Sequence, residues 1–138
     1  MYVGIDLGGI NIAIGLVDDD YNILAKGSIP TGREREFSEI MADAAHLIEK
    51  LLKETGKTAA DIQAIGMGTP GIPGIKEKTV IYASNFPKVR HGNLQEEMRK
   101  YFPGVNAFVE NDANAAAYGE ALAGAAKGVR DAVYAMRW

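Results

Sequence analysis

The chain has 138 residues, 47% of them hydrophobic and 24% charged, with a formal net charge of −3 and no cysteine. This composition is typical of one globular domain, and it excludes the basic surface that nucleic acid or an anionic membrane requires, so we expect neither as a partner. The lack of cysteine excludes disulfides and thiolate zinc sites and is compatible with a cytoplasmic location. Polar Asp6 and Asn11 interrupt the apolar N-terminal residues, so neither a signal peptide nor a membrane span is expected.

The first thirty residues have the pattern of three short antiparallel strands. Apolar and β-branched residues fill 2–7 and 12–17, and two glycines separate these segments. A polar turn at 18–22 leads to a third alternating segment over 23–29, which Pro30 ends. We therefore predict an antiparallel meander at the start of the fold.

The period of the apolar residues then changes to that of an amphipathic helix over residues 37–55, which Gly56 ends. A buried strand is predicted over 61–67, and the Gly- and Pro-rich segment 68–74 is predicted to be a loop. The remaining predicted elements are a strand at 78–82, a helix at 93–101, a strand at 105–109, an alanine-rich helix at 113–126 and a strand beginning at 131–136. This order predicts an α/β fold, in which one mixed sheet has three antiparallel strands first and helices on its faces.

A first polar cluster lies in the predicted turn at residues 6–11. Adjacent Gly8 and Gly9 let backbone N–H groups approach an anion, and the preceding carboxylate of Asp6 can hold a magnesium ion or its waters. The cluster would suit nucleotide phosphates, although a hairpin turn capped by a buried Asp explains the same residues equally well. It has neither the G-x-G-x-x-G spacing nor the P-loop ending.

A second cluster follows the buried strand at residues 68–71, with Asn85 further along the chain. Glycine backbone and an Asn amide can bind the hydroxyls of a sugar. Taken alone, however, the glycines favour a tight turn and Asn85 favours a solvated loop.

The third cluster is at residues 110–114. Asp112 stands between a predicted strand and a predicted helix, where ligands bind in α/β sheets, and we predict that it is a catalytic base. Asp at the start of a helix is more commonly an N-cap, but the neighbouring Asn111 and Asn114 favour a functional site over a simple cap. His46 and His91 are expected to be solvated, which leaves a transition-metal site few ligands.

Four segments together resemble the ROK family of bacterial sugar kinases, and the glucokinases in it resemble this chain most. The segments are Gly4-Ile5-Asp6-Leu7-Gly8-Gly9, Ile65-Gly66-Met67-Gly68-Thr69-Pro70-Gly71, Asn85-Phe86-Pro87 and Val109 to Glu120. The resemblance implies the actin-like, ribonuclease-H-like fold and the ATP-dependent phosphorylation of a hexose, usually glucose at its 6-hydroxyl.

Residue roles follow from the same resemblance. Asp112 would accept the proton of the attacking hydroxyl, while Asn111, Asn85, Asp112 and the backbone at Gly71 would hold the sugar. The resemblance further implies that the ATP phosphates are faced by Asp6, Gly8, Gly9 and Asn11, with magnesium reaching Asp6 through ATP.

This chain departs from the family pattern in three respects. Ile10 replaces the usual Thr after the two glycines, which would weaken phosphate binding, and 88–90 replaces the usual Gly-Trp on the sugar side. Family members are about twice as long, so residues 1–138 are expected to be the N-terminal small domain, without the large domain that carries the adenine pocket and the zinc site.

The isolated chain is therefore expected to have little or no activity, because the two lobes close the site together. The alternative is a non-catalytic module of the same fold, either binding a sugar, as in the ROK-type repressors, or assembling as a homodimer through the sheet edge after residue 132.

Overall fold

A computed structural model describes residues 1–112 of the chain. Strands β1 (Tyr2–Leu7), β2 (Asn11–Val17) and β3 (Ile23–Pro30) form the predicted antiparallel meander. Alternate residues of β1 and β2 are buried, because successive side chains of a strand point to opposite faces and the apolar ones face the core. The prediction of the meander is confirmed.

Five strands form one mixed sheet in the order β3-β2-β1-β4-β8, where β4 is Ala64–Thr69 and β8 is Asn106–Asn111. Strands β1, β4 and β8 are mutually parallel, so their carboxyl ends meet at one edge of the sheet. The predicted α/β class with three antiparallel strands first is confirmed.

Helix α1 (Phe37–Glu54) covers one face of the sheet, as its apolar period predicts. Nine of its residues are buried, and each large apolar side chain removed from water contributes about 1.5–3 kcal/mol to folding. The helix ends before Gly56, whose φ of +68° is the left-handed conformation common just after a helix. This face of the sheet with α1 forms most of the hydrophobic core.

A second, three-stranded antiparallel sheet was not predicted. It has the order β5-β6-β7, where β5 is Ile72–Gly74, β6 is Thr79–Tyr82 and β7 is Arg90–Asn93. The predicted loop at 68–74 is wrong in its bounds, because β4 continues to Thr69 and β5 begins at Ile72. The predicted strand at 61–67 starts later, since a 3₁₀ turn occupies Ala59–Asp61.

The predicted helix at 93–101 is α2 (Leu94–Arg99), which begins at a cap where the Asn93 side chain accepts a hydrogen bond from the Glu96 N–H at 2.9 Å. From this helix Gln95 reaches β8. Its Nε2 donates to the Val105 carbonyl at 2.8 Å, and its Oε1 accepts from the Ala107 N–H at 2.9 Å. One side-chain amide thus forms the two bonds that a neighbouring strand would form.

The predicted helix at 113–126 and strand at 131–136 lie outside the described residues, as does the sheet edge after residue 132. Within residues 1–112, no helix is both long and apolar enough to cross a membrane.

Candidate functional site

The register of the parallel strands brings the first and third polar clusters together. Asp6 of β1 lies beside Gly68 of β4, which lies beside Glu110 of β8, and Thr69 lies beside Asn111 one step further along. Adjacent strands are about 4.8 Å apart, so the two acidic residues are separated by about two strand spacings with only a glycine between them. The sequence clusters, distant in the chain, converge at one edge of the sheet.

Asp6 and Asp112 interact electrostatically at this edge. Loss of hydration raises the pKa of the Asp6 carboxyl, and the negative charge of Asp112 raises it further. Both border an open cavity of about 690 Å³, whose wall is mostly the surface of β1, β2, β4 and β8 and also includes Gly68 and Glu110. Paired carboxylates in a cavity are unfavourable when both are ionised, and a cation bound between them would relieve the repulsion.

The turn from β1 to β2 contains the two predicted phosphate glycines. The Gly8 N–H donates to the Asn11 carbonyl at 3.1 Å, and a Cβ added to Gly8 would lie 2.5 Å from the same oxygen, so this position accepts only glycine. Asn11 begins β2, paired with Pro30 of β3. Ile10, at the tip of the turn, is 79% exposed.

The predicted sugar-side residues adjoin the same turn. A Cβ added to Gly9 would lie 3.2 Å from Nδ2 of Asn85, so this side chain lies directly against the β1–β2 turn. The Asn111 Nδ2 donates to the Gly71 carbonyl at 3.4 Å, which connects the end of β8 with the turn between β4 and β5. The structure thus brings Asn85 next to Gly9, and Asn111 next to Gly71.

Gly71 has a φ of +84°, and an added Cβ would lie 2.2 Å from the Tyr82 carbonyl oxygen. Both observations favour glycine here, since the left-handed region costs a residue with a Cβ about 1–2 kcal/mol and the added Cβ would overlap a backbone oxygen. The hypothesis of a tight turn is therefore correct for this glycine, and it leaves the backbone exposed at the site.

Sequence reasoning missed Thr31, which is fully buried beside the β1–β2 turn. Its Oγ1 donates to the Gly8 carbonyl at 2.7 Å, and its backbone N–H donates to the Ile10 carbonyl at 2.8 Å. No motif marks it. The signal available in the sequence was only a hydroxyl residue directly after Pro30, where a predicted strand ends.

Potential metal ligands are few among residues 1–112. No group of three or more His, Asp or Glu side chains there has the arrangement of a metal site. His46 and His91 are exposed, as predicted. Any divalent cation at the Asp6 carboxylate would take its remaining ligands from water and a bound anion, as magnesium commonly does.

Comparison with known proteins gives a consistent result. The ROK family model matches residues 2–136. A glucokinase of Streptomyces coelicolor is 35% identical over 132 residues, which are 95% of this chain and 38% of that protein. A ROK hexokinase of Thermus thermophilus superposes with a TM-score of 0.79 at 35% identity, covering 92% of this chain and 40% of that one.

A ROK family glucokinase of Streptomyces griseus, solved in complex with glucose and AMPPNP, has a TM-score of 0.78 at 33% identity, covering 92% of this chain and 38% of that chain. This chain thus spans about two fifths of the length of these relatives. The relatives are glucokinases and other sugar kinases, and the shared actin-like mixed sheet confirms the predicted fold. On the family match and the shared fold together, the chain belongs to the ROK family.

Proposed function

We propose that this chain is the N-terminal small domain of an ATP-dependent hexose kinase that phosphorylates glucose at its 6-hydroxyl. The observation that carries the proposal is the pairing of Asp6 and Asp112 at the carboxyl ends of the parallel strands, with the Gly8-Gly9 turn ending β1 at the same edge. The glucose and AMPPNP bound by the Streptomyces griseus relative support this choice of ligands. The proposed use of ATP and the lack of cysteine favour a cytoplasmic location for the protein.

Asp112 is the proposed general base. A carboxylate can accept a hydrogen bond from the 6-hydroxyl, orient it and take its proton as the oxygen attacks phosphorus. The sugar hydroxyls are held by Asn111, Asn85 and the Gly71 backbone, and Asn111 already contacts Gly71. These donors and acceptors fix the attacking oxygen, which is the main requirement of phosphoryl transfer.

The Gly8-Gly9 turn, with Asp6 and Asn11 at its ends, is the proposed phosphate site. Asp6 fits a magnesium ion held mainly by phosphate oxygens and water, since a cation there would offset its repulsion from Asp112. Magnesium, when bound, would neutralise charge on the transferring phosphoryl group. The Gly8 N–H already donates to the Asn11 carbonyl, so Gly9 is the glycine of this turn whose backbone would approach the phosphates, and Asn85 beside it joins the phosphate and sugar sides.

Binding by the chain itself can be tested by NMR titration with glucose and with magnesium AMPPNP. We expect shifts at Asn85, Gly71 and Asn111 with glucose, and at Gly8 and Gly9 with AMPPNP. Shifts with glucose alone would favour the non-catalytic sugar-binding module, and no shift with either ligand would overturn the proposal.

Catalysis can be tested in a chimera, in which residues 1–138 replace the matching part of the Streptomyces griseus glucokinase. Asp112→Asn should lower kcat by about 10²- to 10⁴-fold, the usual contribution of a general base. Asp20→Asn is the matched control, because Asp20 lies in the β2–β3 turn at the opposite end of β1. If D112N retains a rate within about threefold of the parent, Asp112 is not the base.

A further inference from the structure

Thr31 is placed to control the shape of the phosphate turn. It directly follows β3, is 0% exposed, and makes two hydrogen bonds to the turn, one from its hydroxyl to the Gly8 carbonyl and one from its N–H to the Ile10 carbonyl. A single buried residue therefore holds the backbone on both sides of Gly9.

The direction of these bonds matters for an anion. A carbonyl oxygen carries partial negative charge and repels phosphate, so a turn binds an anion only when its carbonyls point elsewhere and its N–H groups face outward. The Gly8 and Ile10 carbonyls are drawn toward the buried Thr31, and the Asn11 carbonyl accepts from Gly8. Thr31 supplies both donors that orient the first two.

Thr31 is itself fixed to helix α1. Nη2 of Arg35 donates to the Thr31 carbonyl at 2.8 Å and to Oδ2 of Asp43 on α1 at 2.8 Å. The bend between them is tight, since Gly32 has a φ of +61° and an added Cβ would lie 2.5 Å from Nε of Arg35. The turn is thereby tied to the helix through three consecutive side-chain contacts.

We propose that Thr31 is a positioning residue for the phosphoryl donor, which turns the Gly8 and Ile10 carbonyls inward so that the turn can bind a triphosphate. The inference rests on the proposed function of this turn as the phosphate site. The hydroxyl is the essential group, because the backbone N–H of Thr31 is kept in any substitution except proline.

The test compares Thr31→Val, which removes the hydroxyl at nearly constant volume, with Thr31→Ser, which keeps it. Thr55→Val is the matched control: the Thr55 hydroxyl also donates to backbone carbonyls, at 2.9 and 3.0 Å, but at the far end of α1, about 27 Å along the helix. Dissociation constants for magnesium AMPPNP and for tripolyphosphate are measured by calorimetry on the chimera, in which residues 1–138 replace the matching part of the Streptomyces griseus glucokinase. Urea unfolding of each variant is measured in parallel.

We expect T31V to weaken binding of both ligands about tenfold, and T31S and T55V to change it less than about twofold. A purely structural role would lower the stability of T31V and T55V alike and leave affinity unchanged. If the parent chimera binds and T31V binds with the same affinity, the proposed role of Thr31 is overturned, while the phosphate-site assignment is not. If the parent chimera binds neither ligand, the phosphate-site assignment fails first, and this inference fails with it.

If T31V does not fold, Asp43→Asn tests the same contacts from the surface. Loss of the carboxylate frees Arg35 and loosens its bond to the Thr31 carbonyl, so a two- to threefold loss of affinity is expected. Unchanged affinity in D43N would then overturn the inference.

Discussion

Gly71, in the turn between β4 and β5, is the position where a single added methyl group should cost most. In Gly71→Ala the backbone must keep a φ of +84°, which costs about 1–2 kcal/mol for a residue with a Cβ. The new Cβ would also lie 2.2 Å from the Tyr82 oxygen and 2.8 Å from Cα of Ala83. Both are backbone atoms that cannot rotate away, and such overpacking costs typically about 1–3 kcal/mol more.

Gly104→Ala separates the two contributions. Gly104 has a φ of +86°, but an added Cβ there has no neighbour within 4 Å, so this variant carries the backbone cost alone. Urea unfolding should therefore give a loss of about 1–2 kcal/mol for G104A and about 2–5 kcal/mol for G71A. Because the Gly71 carbonyl accepts from Asn111, G71A should also weaken glucose binding. Equal losses in stability for the two variants would show that β6 does not press on the turn, and would refute the reasoning.

Three further predictions concern single side chains. The pKa of Asp6 is raised in the folded protein, so its ionised carboxylate disfavours folding and Asp6→Asn should be more stable than the wild type at pH 7. The difference should disappear below about pH 3.9, where the carboxyl is neutral in both the folded and the unfolded protein. Equal urea midpoints at pH 7 would contradict this prediction. Gln95→Ala should cost about 2 kcal/mol by urea unfolding, whereas Gln63→Ala, which loses only an exposed bond, should cost almost nothing. Ile10→Thr should strengthen AMPPNP binding about threefold by calorimetry, with stability unchanged because Ile10 is exposed.

The meander and α1 could be predicted because their signals are local. Val3, Ile5 and Leu7 alternate with exposed residues, and the apolar period of α1 persists over 18 residues. Of the second sheet only β6 was predicted, as the strand at 78–82. Strands β5 and β7 could not be predicted, because they have three and four residues and β7 reads Arg-His-Gly-Asn, without apolar alternation. The three strands of this sheet follow one another in the chain, and each pairs with its neighbour in sequence. Gly92 occurs in it because a Cβ would lie 2.5 Å from the Phe37 ring, a contact that the sequence does not reveal.

Part of the candidate site could likewise be predicted from the sequence, and part could not. The meeting of Asp6 with the end of β8 follows from parallel strands, whose carboxyl ends share an edge, and both strands could be recognised from their composition. The role of Thr31 depends on how β3 pairs with β2, where Pro30 lies opposite Asn11. That register is set by the whole meander, and so a residue 23 positions from Gly8 joins the turn without any motif to mark it.

The Gln95 amide also determines how copies of this chain can meet. It occupies one donor and one acceptor at the beginning of β8, so a second chain could pair with that part of the strand only after breaking both bonds. The other outer strand of the described sheet, β3, carries the exposed apolar residues Ile23 and Leu24. Within residues 1–112, edge-to-edge pairing of two copies would therefore meet less resistance at β3 than at the beginning of β8, and a lysine at position 23 would be the direct way to suppress it.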